Sequence, residues 1–489
     1  MISNPVSVGD LALLVDGEVI GDTHVVISDV VHDSRSAEPG SLFVAIRGLK
    51  TDGHRFVETA IVNGASAVCV EEPVAGCAIP QLVVDNSRAN LGLLAAEVHG
   101  RPSSKLRVVG ITGTNGKTTV AYLLESIAAT AGTVAGRIGT TGASVAGTEL
   151  PLERTTPEAS NLQRLLASMV EAGADVVAAE VSSHALTLGR VDAVQFELAA
   201  FTNLSQDHLD FHTDMDDYFA AKALLFEGHR TRRAVINRDD AWGERLAGMI
   251  DIPFLAVGDE VRAADIVLEA SGTRFRLVTP QGEAQVVLPL AGKFNVSNAL
   301  VAAGCAIELG FDLGRVVAGL EAVDQIPGRY EIVQGPEPFL VVVDYAHSPE
   351  GVASVVATAR ATCTGSITVV LGAGGDRDRS KRPAMGRAAS EADRFFITSD
   401  NPRSESPDEI IEAVRAGVEA DSVELVVQAD RRTAIRLALE AAGPGDTVLV
   451  LGKGHEQGQE VDGRILDFDD RKVVAEEIAL MEEAPCSPC

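Results

Sequence analysis

The stretch "VVGITGTNGKTT", residues 108–119, runs from an apolar segment through a glycine-rich turn into Lys117, Thr118 and Thr119. It continues into "TTVAYLLESIAATAG", whose apolar residues recur at helical spacing. A buried strand, a glycine turn and a helix N-terminus together form a cradle for phosphate, because backbone N–H groups and the helix dipole face the anion. Lys117 would lie against the β- and γ-phosphates, and Thr118 would place its hydroxyl on Mg²⁺. The spelling is unusual. A standard phosphate loop sets its first glycine five residues before the Gly of Gly-Lys-Ser/Thr. Here that position is Ile111, with Gly110 and Gly113 on either side. A dinucleotide-binding turn is the poorer reading, since G-x-G-x-x-G does not follow the strand. The loop alone implies a nucleoside triphosphate and little more.

Outward from the loop, the chain divides into three blocks. Residues 1–105 carry short β-rich runs ("VVISDVV", "SLFVAI", "SAVCVEE", "QLVVD") and one helical run, ending in "GRPSSK", which reads as a linker. Residues 106–328 alternate strands and helices, and runs such as "DVVAAEV" are apolar throughout, as strands covered on both faces should be. The break "DQIPGRYEIV", 324–333, introduces a second alternation over residues 329–489, with strands in "FLVVVDYAH", "SITVVLGAGG", "RFFITSDNP", "VELVVQAD" and "DTVLVLGKG". The expected class is therefore α/β in three domains: a mixed N-terminal domain, a central mostly parallel sheet of the P-loop ATPase type, and a C-terminal Rossmann-like doubly wound domain.

Composition narrows the partners. A formal net charge of −29 argues against a nucleic-acid backbone as ligand. Only 4% of residues are aromatic, too few for base-stacking platforms. The N-terminus lacks the basic and apolar regions of a signal peptide, and no run approaches a membrane span. The chain thus reads as soluble and cytoplasmic. Its six cysteines show no disulfide spacing, and the terminal "CSPC", 486–489, is a lone pair that cannot close a zinc site alone.

In doubly wound sheets ligands bind at the carboxyl ends of strands, and the unusual residues fall there. "EVSSHAL", 180–186, brings Glu180 and His184; "NLSQDHLDFH", 203–212, brings Asp207 and His208. A carboxylate and an imidazole beside a phosphate loop suit Mg²⁺, although that ion prefers oxygen. Lys222, within the helical "YFAAKALLF", reads by itself as a lysine snorkelling to solvent.

Taken in order, "GTNGKTT", "EVSSHAL", "NLSQDHLDFH…YFAAK", "GKFNVSNAL", "GRYE", "DYAHSPE", "GAGGDRDRSKRP", "DNPR" and "GKGHE" resemble the motifs of the ATP-dependent Mur ligases of peptidoglycan precursor synthesis. With "HDSR" and "DGHRF" near the N-terminus, the resemblance spans nearly the whole chain. It also accounts for the short loop, since Gly-Thr-Asn-Gly-Lys-Thr is that family's form.

The resemblance implies an ADP-forming ligase that activates a carboxylate with ATP as an acyl phosphate and couples it to an amine, with Mg²⁺. ATP would be held by Gly113, Thr114, Asn115, Gly116, Lys117, Thr118 and Thr119, by Asn295 and Asn298 of "NVSN" at the base, and by Arg329, Asp344 and His347 across the domain boundary. Lys117, Glu180, His208 and Lys222 would form the catalytic set. Thr118, Glu180 and His208 would hold metal together with Lys222 carbamylated to N6-carboxylysine. The acceptor, UDP-MurNAc-L-Ala-D-Glu, would bind between the first two domains, the N-terminal one serving the UDP end, through Ser34, Thr155, Thr156, Ser182 and Arg190. The pocket for the incoming amino acid would comprise Arg377, Asp400, Asn401, Pro402, Arg403, Gly452 and Glu456. Arg403 can fork onto a carboxylate, while Asp400 and Asn401 receive an ammonium, which favours meso-diaminopimelate over L-lysine. A monomer acting on small molecules is expected, with no nucleic acid and no membrane insertion.

Two residues depart from the pattern of some relatives: Leu188 stands where they have Gln, and Arg154 where they have Asn. The rivals are the L-lysine-adding form, another Mur or folylpolyglutamate-type ligase, and a non-catalytic nucleotide-binding scaffold. "HDSR" with "DNPR" disfavours a different ligase, and the presence of Glu180, His208 and Lys222 together disfavours a scaffold.

Overall fold

Short strands, most of the parallel ones followed by a turn and a helix, assemble here into three sheets in series. The computed structural model describes residues 5–48, 51–333, 339–419 and 422–483; the terminal "CSPC" lies outside them. The first sheet has five strands in the order Glu18–Ile20, Gln81–Val83, Ala67–Val70, Ser41–Val44, Asp29–Val31, parallel except for the first. The central sheet has eight strands. Six are parallel, in the order Ala135–Gly139, Val176–Glu180, Arg107–Thr112, Leu198–Phe201, Ala234–Asn237, Phe254–Val257, and an antiparallel pair, Gly142–Val145 and Thr148–Leu150, extends one edge. In the third sheet Leu340–Asp344, Thr447–Leu451, Ile367–Leu371, Arg394–Ile397 and Glu424–Val427 run parallel, with Glu331–Val333 antiparallel at the edge. The inner parallel strands of the central and C-terminal sheets are buried nearly throughout because helices cover both faces, whereas the edge strand Glu424–Val427 is not.

One element is absent from the sequence reading. Arg262–Glu269, Gly272–Thr279 and Gly282–Leu288 form a three-stranded antiparallel sheet. Phe275, Leu277, Val286 and Leu288 point from it into the central core, while alternate positions face solvent. "GRPSSK" also behaves differently from a linker: Pro102–Lys105 form a 3₁₀ turn in which Pro102 and Ser103 are buried.

The glycines of the opening stretch now separate. Gly110 lies mid-strand, where a Cβ would sit 2.8 Å from the Phe196 ring, so it serves packing. Gly113 (φ 148°) and Gly116 (φ 87°) make the turn, and Cβ atoms there would meet Thr202 Oγ1 at 1.8 Å and Asn298 Oδ1 at 2.1 Å. The turn is built from the second pair, and the helix Lys117–Thr130 starts directly after it.

A polar clasp joins the first two sheets. Asp29 accepts hydrogen bonds from His99 Nε2 (3.1 Å) and from Arg164 Nε and Nη2 (3.2 and 2.7 Å). Burial pushes the Asp29 carboxyl up, but the bonds from His99 and Arg164 outweigh it and hold the pKa below the ordinary value of 3.8. A depressed carboxyl contributes stability above its unfolded pKa and loses it as pH falls through the folded value. Asp29→Asn should therefore lower the melting temperature near neutrality by an amount equivalent to about 1 kcal/mol. Thermal melts from pH 7 to pH 3 should show native and variant converging at the acid end; a constant difference would refute the clasp.

Candidate active site

The carboxyl ends of the central and C-terminal strands face each other across a cleft of about 550 Å³, continuous with a second cavity of about 200 Å³ at the phosphate loop. Thr140, Thr155, Ser182, Asp207, His208, Tyr345 and His347 line both, so the two cavities form one site. Thr156 and Arg190 on the central side, and Arg377, Asp400, Asn401, Arg403, Gly452 and Glu456 on the other, line the larger. Thr114 through Thr119, Glu180, Asn298, Arg329 and Asp344 line the smaller. Among the residues expected from sequence, Gly113, Ser34, Lys222, Asn295 and Pro402 line neither. Ser34 sits buried in a 3₁₀ turn of the first sheet's domain. Asn295 lies behind Asn298, whose amide it accepts at 3.2 Å.

The loop is stapled from the neighbouring strand end. Asn115 N donates to Asn203 Oδ1 (2.9 Å), Thr202 Oγ1 donates to Asn115 O (2.6 Å), and Ser205 N donates to Thr114 Oγ1 (3.0 Å). Lys117 Nζ curls back to donate to Gly113 O and Thr114 O at 3.0 and 2.9 Å. Lys222 Nζ donates to the same Gly113 carbonyl at 2.8 Å and lies 4.5 Å from the centre of the Tyr218 ring. Lys222 does not snorkel: it is only 1% exposed. Its helix, Met215–Ala223, packs that face inward. Burial lowers the pKa of both lysines, and the charge on Lys117 lowers that of Lys222 further, to well below the usual lysine range.

Glu180 is held at both oxygens by Thr140, from its backbone N–H (2.9 Å) and its hydroxyl (3.0 Å). The same hydroxyl lies 3.0 Å from Thr155 Oγ1, linking the two cavities. Burial drives His208 down to about 3 and His184 to about 4, so both rings are neutral near pH 7. His208 has φ 56°, and Tyr330, Asp376 and Arg403 also hold left-handed backbone, at 47°, 52° and 54°. Of these, His208 and Arg403 line the cleft, where the left-handed backbone indicates strain maintained by the surrounding packing.

Several contacts cross from the central to the C-terminal side, among them Gln206 Nε2 donating to Asp378 Oδ2 (3.3 Å) and Ser380 Oγ (3.1 Å). Lys381 Nζ pairs with Asp207 Oδ1 at 3.0 Å, His347 Nε2 lies 3.3 Å from Asp207 Oδ2, and Arg329 Nη2 donates to Thr118 Oγ1 at 2.9 Å. Asp344 faces inward instead: its carboxylate accepts from Tyr330 N (2.6 Å) and Ala346 N (2.7 Å), bracing the domain junction. On the central side of the larger cavity Glu158 gathers Arg190 and Arg154, at 3.0 and 2.9 Å, with Arg88 at 3.6 Å.

Comparison with known proteins agrees with this architecture. Family profiles described as "Mur ligase family, catalytic domain", "Mur ligase middle domain" and "Mur ligase, glutamate ligase domain" match residues 26–103, 111–306 and 328–454. The UDP-N-acetylmuramoyl-L-alanyl-D-glutamate–2,6-diaminopimelate ligase of Streptomyces coelicolor is 44% identical over 97% of this chain and 97% of its own. The chain belongs to the Mur ligase family. The Geobacillus kaustophilus ligase of the same name is 42% identical over 90% of this chain and 92% of that one. Among solved structures, one of a ligase of that name aligns with TM-score 0.69 and 33% identity over 98% of this chain and 100% of the other. MurF from Acinetobacter baumannii shares the fold at 22% identity, with TM-score 0.72 over 97% and 99% of the two chains.

Within this Mur ligase, Thr140, Lys381, Tyr345, His455 and Glu158 contribute to the site without having been expected from sequence. Thr140 sits in "GTTG", outside the quoted motifs, and Lys381 in "GAGGDRDRSKRP", where nothing local marks the lysine; only the fold brings them to Glu180 and Asp207.

Proposed function

We propose that this chain is an ATP-dependent, ADP-forming ligase that joins meso-2,6-diaminopimelate to the D-Glu γ-carboxylate of UDP-MurNAc-L-Ala-D-Glu, in peptidoglycan precursor synthesis. The observation that carries the reading is the shared wall between the phosphate-loop cavity and the cleft holding Arg403, Asp400 and Glu456. A carboxylate activated at the loop is there within reach of an amine held by the opposite domain. The S. coelicolor and G. kaustophilus relatives bear the name of this activity.

The residues fit the nucleotide and Mg²⁺ that such a reaction requires. The space a Cβ would fill at Gly113 and Gly116 is already taken by Thr202 and Asn298, so only glycines let the loop turn its N–H groups towards a phosphate. Among the described residues no three His, Cys, Asp or Glu side chains gather as a metal-holding group. Mg²⁺ needs none, since it takes one or two carboxylates, phosphate oxygens and waters. Thr118, Glu180 and His208 would hold it beside the phosphates, where it neutralises developing negative charge. Lys222, lacking a proton, would add CO₂ at Nζ to give a carbamate and release one proton, supplying a further anionic oxygen.

In the reaction the acceptor carboxylate attacks the γ-phosphorus of ATP, giving an acyl phosphate and ADP. The amine then attacks the acyl carbon, and the tetrahedral intermediate collapses to amide and inorganic phosphate. Lys117 and Arg329 offset charge on the phosphates, while Thr155, Thr156, Ser182 and Arg190 align the acceptor. The protein's contribution is chiefly positioning and charge stabilisation. A monomer suffices, because every proposed group comes from one chain.

Phosphate release tests the reading. With UDP-MurNAc-L-Ala-D-Glu and ATP, meso-diaminopimelate should support turnover at least about tenfold better than L-lysine. Equal or better use of L-lysine, or turnover with a different acceptor only, would refute it.

A further inference from the structure

Arg403 is held more tightly than a ligand-binding arginine on a loop requires. Its backbone lies in the left-handed region at φ 54°. Its N–H donates to Glu460 O at 2.9 Å, and its carbonyl accepts from Asp462 N at 2.8 Å, stitching "DNPR" to the hairpin Gly458–Val461 and Arg464–Asp467. The side chain is bound on two sides: Nε donates to Glu460 Oε2 at 3.0 Å and Nη1 to Gly375 O at 2.6 Å. Gly374 and Gly375 leave room for this. A Cβ on Gly374 would lie 3.1 Å from Arg403 Nη1, and one on Gly375 1.9 Å from Pro402 O. Glu460 is anchored in turn, its N–H donating to Asn401 Oδ1 at 2.9 Å.

The division of labour follows from where each group lies. Arg403 lines the cleft; Glu460 does not. Glu460 takes Nε and Gly375 O takes one hydrogen of Nη1, and among the described residues no hydrogen bond engages Nη2. A guanidinium fixed in this way offers its terminal edge to an incoming carboxylate without first losing rotamer freedom, which raises affinity for a given set of contacts.

We propose that Glu460 is a positioning residue for amino-acid selection: it orients Arg403 so that the guanidinium edge receives the distal carboxylate of the incoming amino acid. The inference rests on the proposed function, since it assumes that Arg403 meets that carboxylate. Glu460 touches no substrate; its effect passes wholly through Arg403.

Steady-state kinetics of the full chain with Glu460→Ala and Glu460→Gln provide the test. Glu460→Ala should raise KM for meso-diaminopimelate by about tenfold or more, with kcat within about twofold and KM for ATP and acceptor unchanged. The preference for diaminopimelate over L-lysine should fall by the same factor, because lysine has no carboxylate for Arg403 to hold. Glu460→Gln, which keeps an oxygen acceptor for Nε, should recover most of the loss. In an Arg403→Ala background Glu460→Ala should add nothing, as expected for residues acting in series. An unchanged KM for diaminopimelate would overturn the proposal, as would parallel losses in kcat and in every KM for both variants. If the native chain shows no diaminopimelate-dependent phosphate release, the functional reading falls and takes this inference with it.

Discussion

Lys222→Met is expected to fold at least as stably as the native chain and to lose ligation by about 10²–10³-fold. The side chain is buried and its ammonium donates to Gly113 O; burial and the charge on Lys117 disfavour the ammonium, and the smaller attraction of Asp207 does not offset them. Holding an ammonium there is unfavourable by several kcal/mol unless the proton leaves. Methionine has nearly the same volume and no charge, so the core should not object. An amine without its proton is also the form that adds CO₂, which gives the position a chemical reason to be lysine. Melting temperature and phosphate release should therefore move in opposite directions. Native activity should rise with added bicarbonate after CO₂ depletion, and the methionine variant should not respond. Full activity in the variant, indifferent to bicarbonate, would end the carbamate hypothesis.

Arg403→Ala should reduce kcat/KM for meso-diaminopimelate by about 10²–10³-fold, equivalent to roughly 3–4 kcal/mol. Turnover with L-lysine should change little. Arg403 is not left unpaired when L-lysine is the amine, because Glu460 and Gly375 O already engage it. Selectivity then comes from the guanidinium edge still free to bind, and the loss should appear mainly in KM. Phosphate-release kinetics with both amino acids check this; equal losses for both would assign Arg403 to the frame of the site instead.

The strand-end motifs were legible in the sequence because both halves of the signal are local. An apolar run such as "DVVAAEV" specifies a covered strand, and the polar residues that follow must then lie at its carboxyl end. The three-stranded sheet over 262–288 escaped notice because its alternation is imperfect, with polar and apolar residues mixed on the exposed face. Lys222 was misread in isolation because apolar neighbours on a helix do not reveal how deep that helix lies. Arg403 with Glu460, 57 positions apart, and Asp207 with Lys381, 174 apart, could not be paired from one sequence at all. Their meeting depends on tertiary topology. Ser34 and Asn295, expected at the site, lie away from the cavity walls, which a motif match cannot foresee.

His208 and Arg403 share a consequence for how this protein can change over time. Each occupies backbone that glycine adopts more readily, at a penalty of about 1 kcal/mol or more apiece. A lineage under pressure for heat resistance alone would drift towards glycine at these two places, and in doing so would erase the imidazole and the guanidinium that line the cleft. Selection for durability and selection for ligation therefore oppose each other there, so heat tolerance in this enzyme has to be gained at other positions.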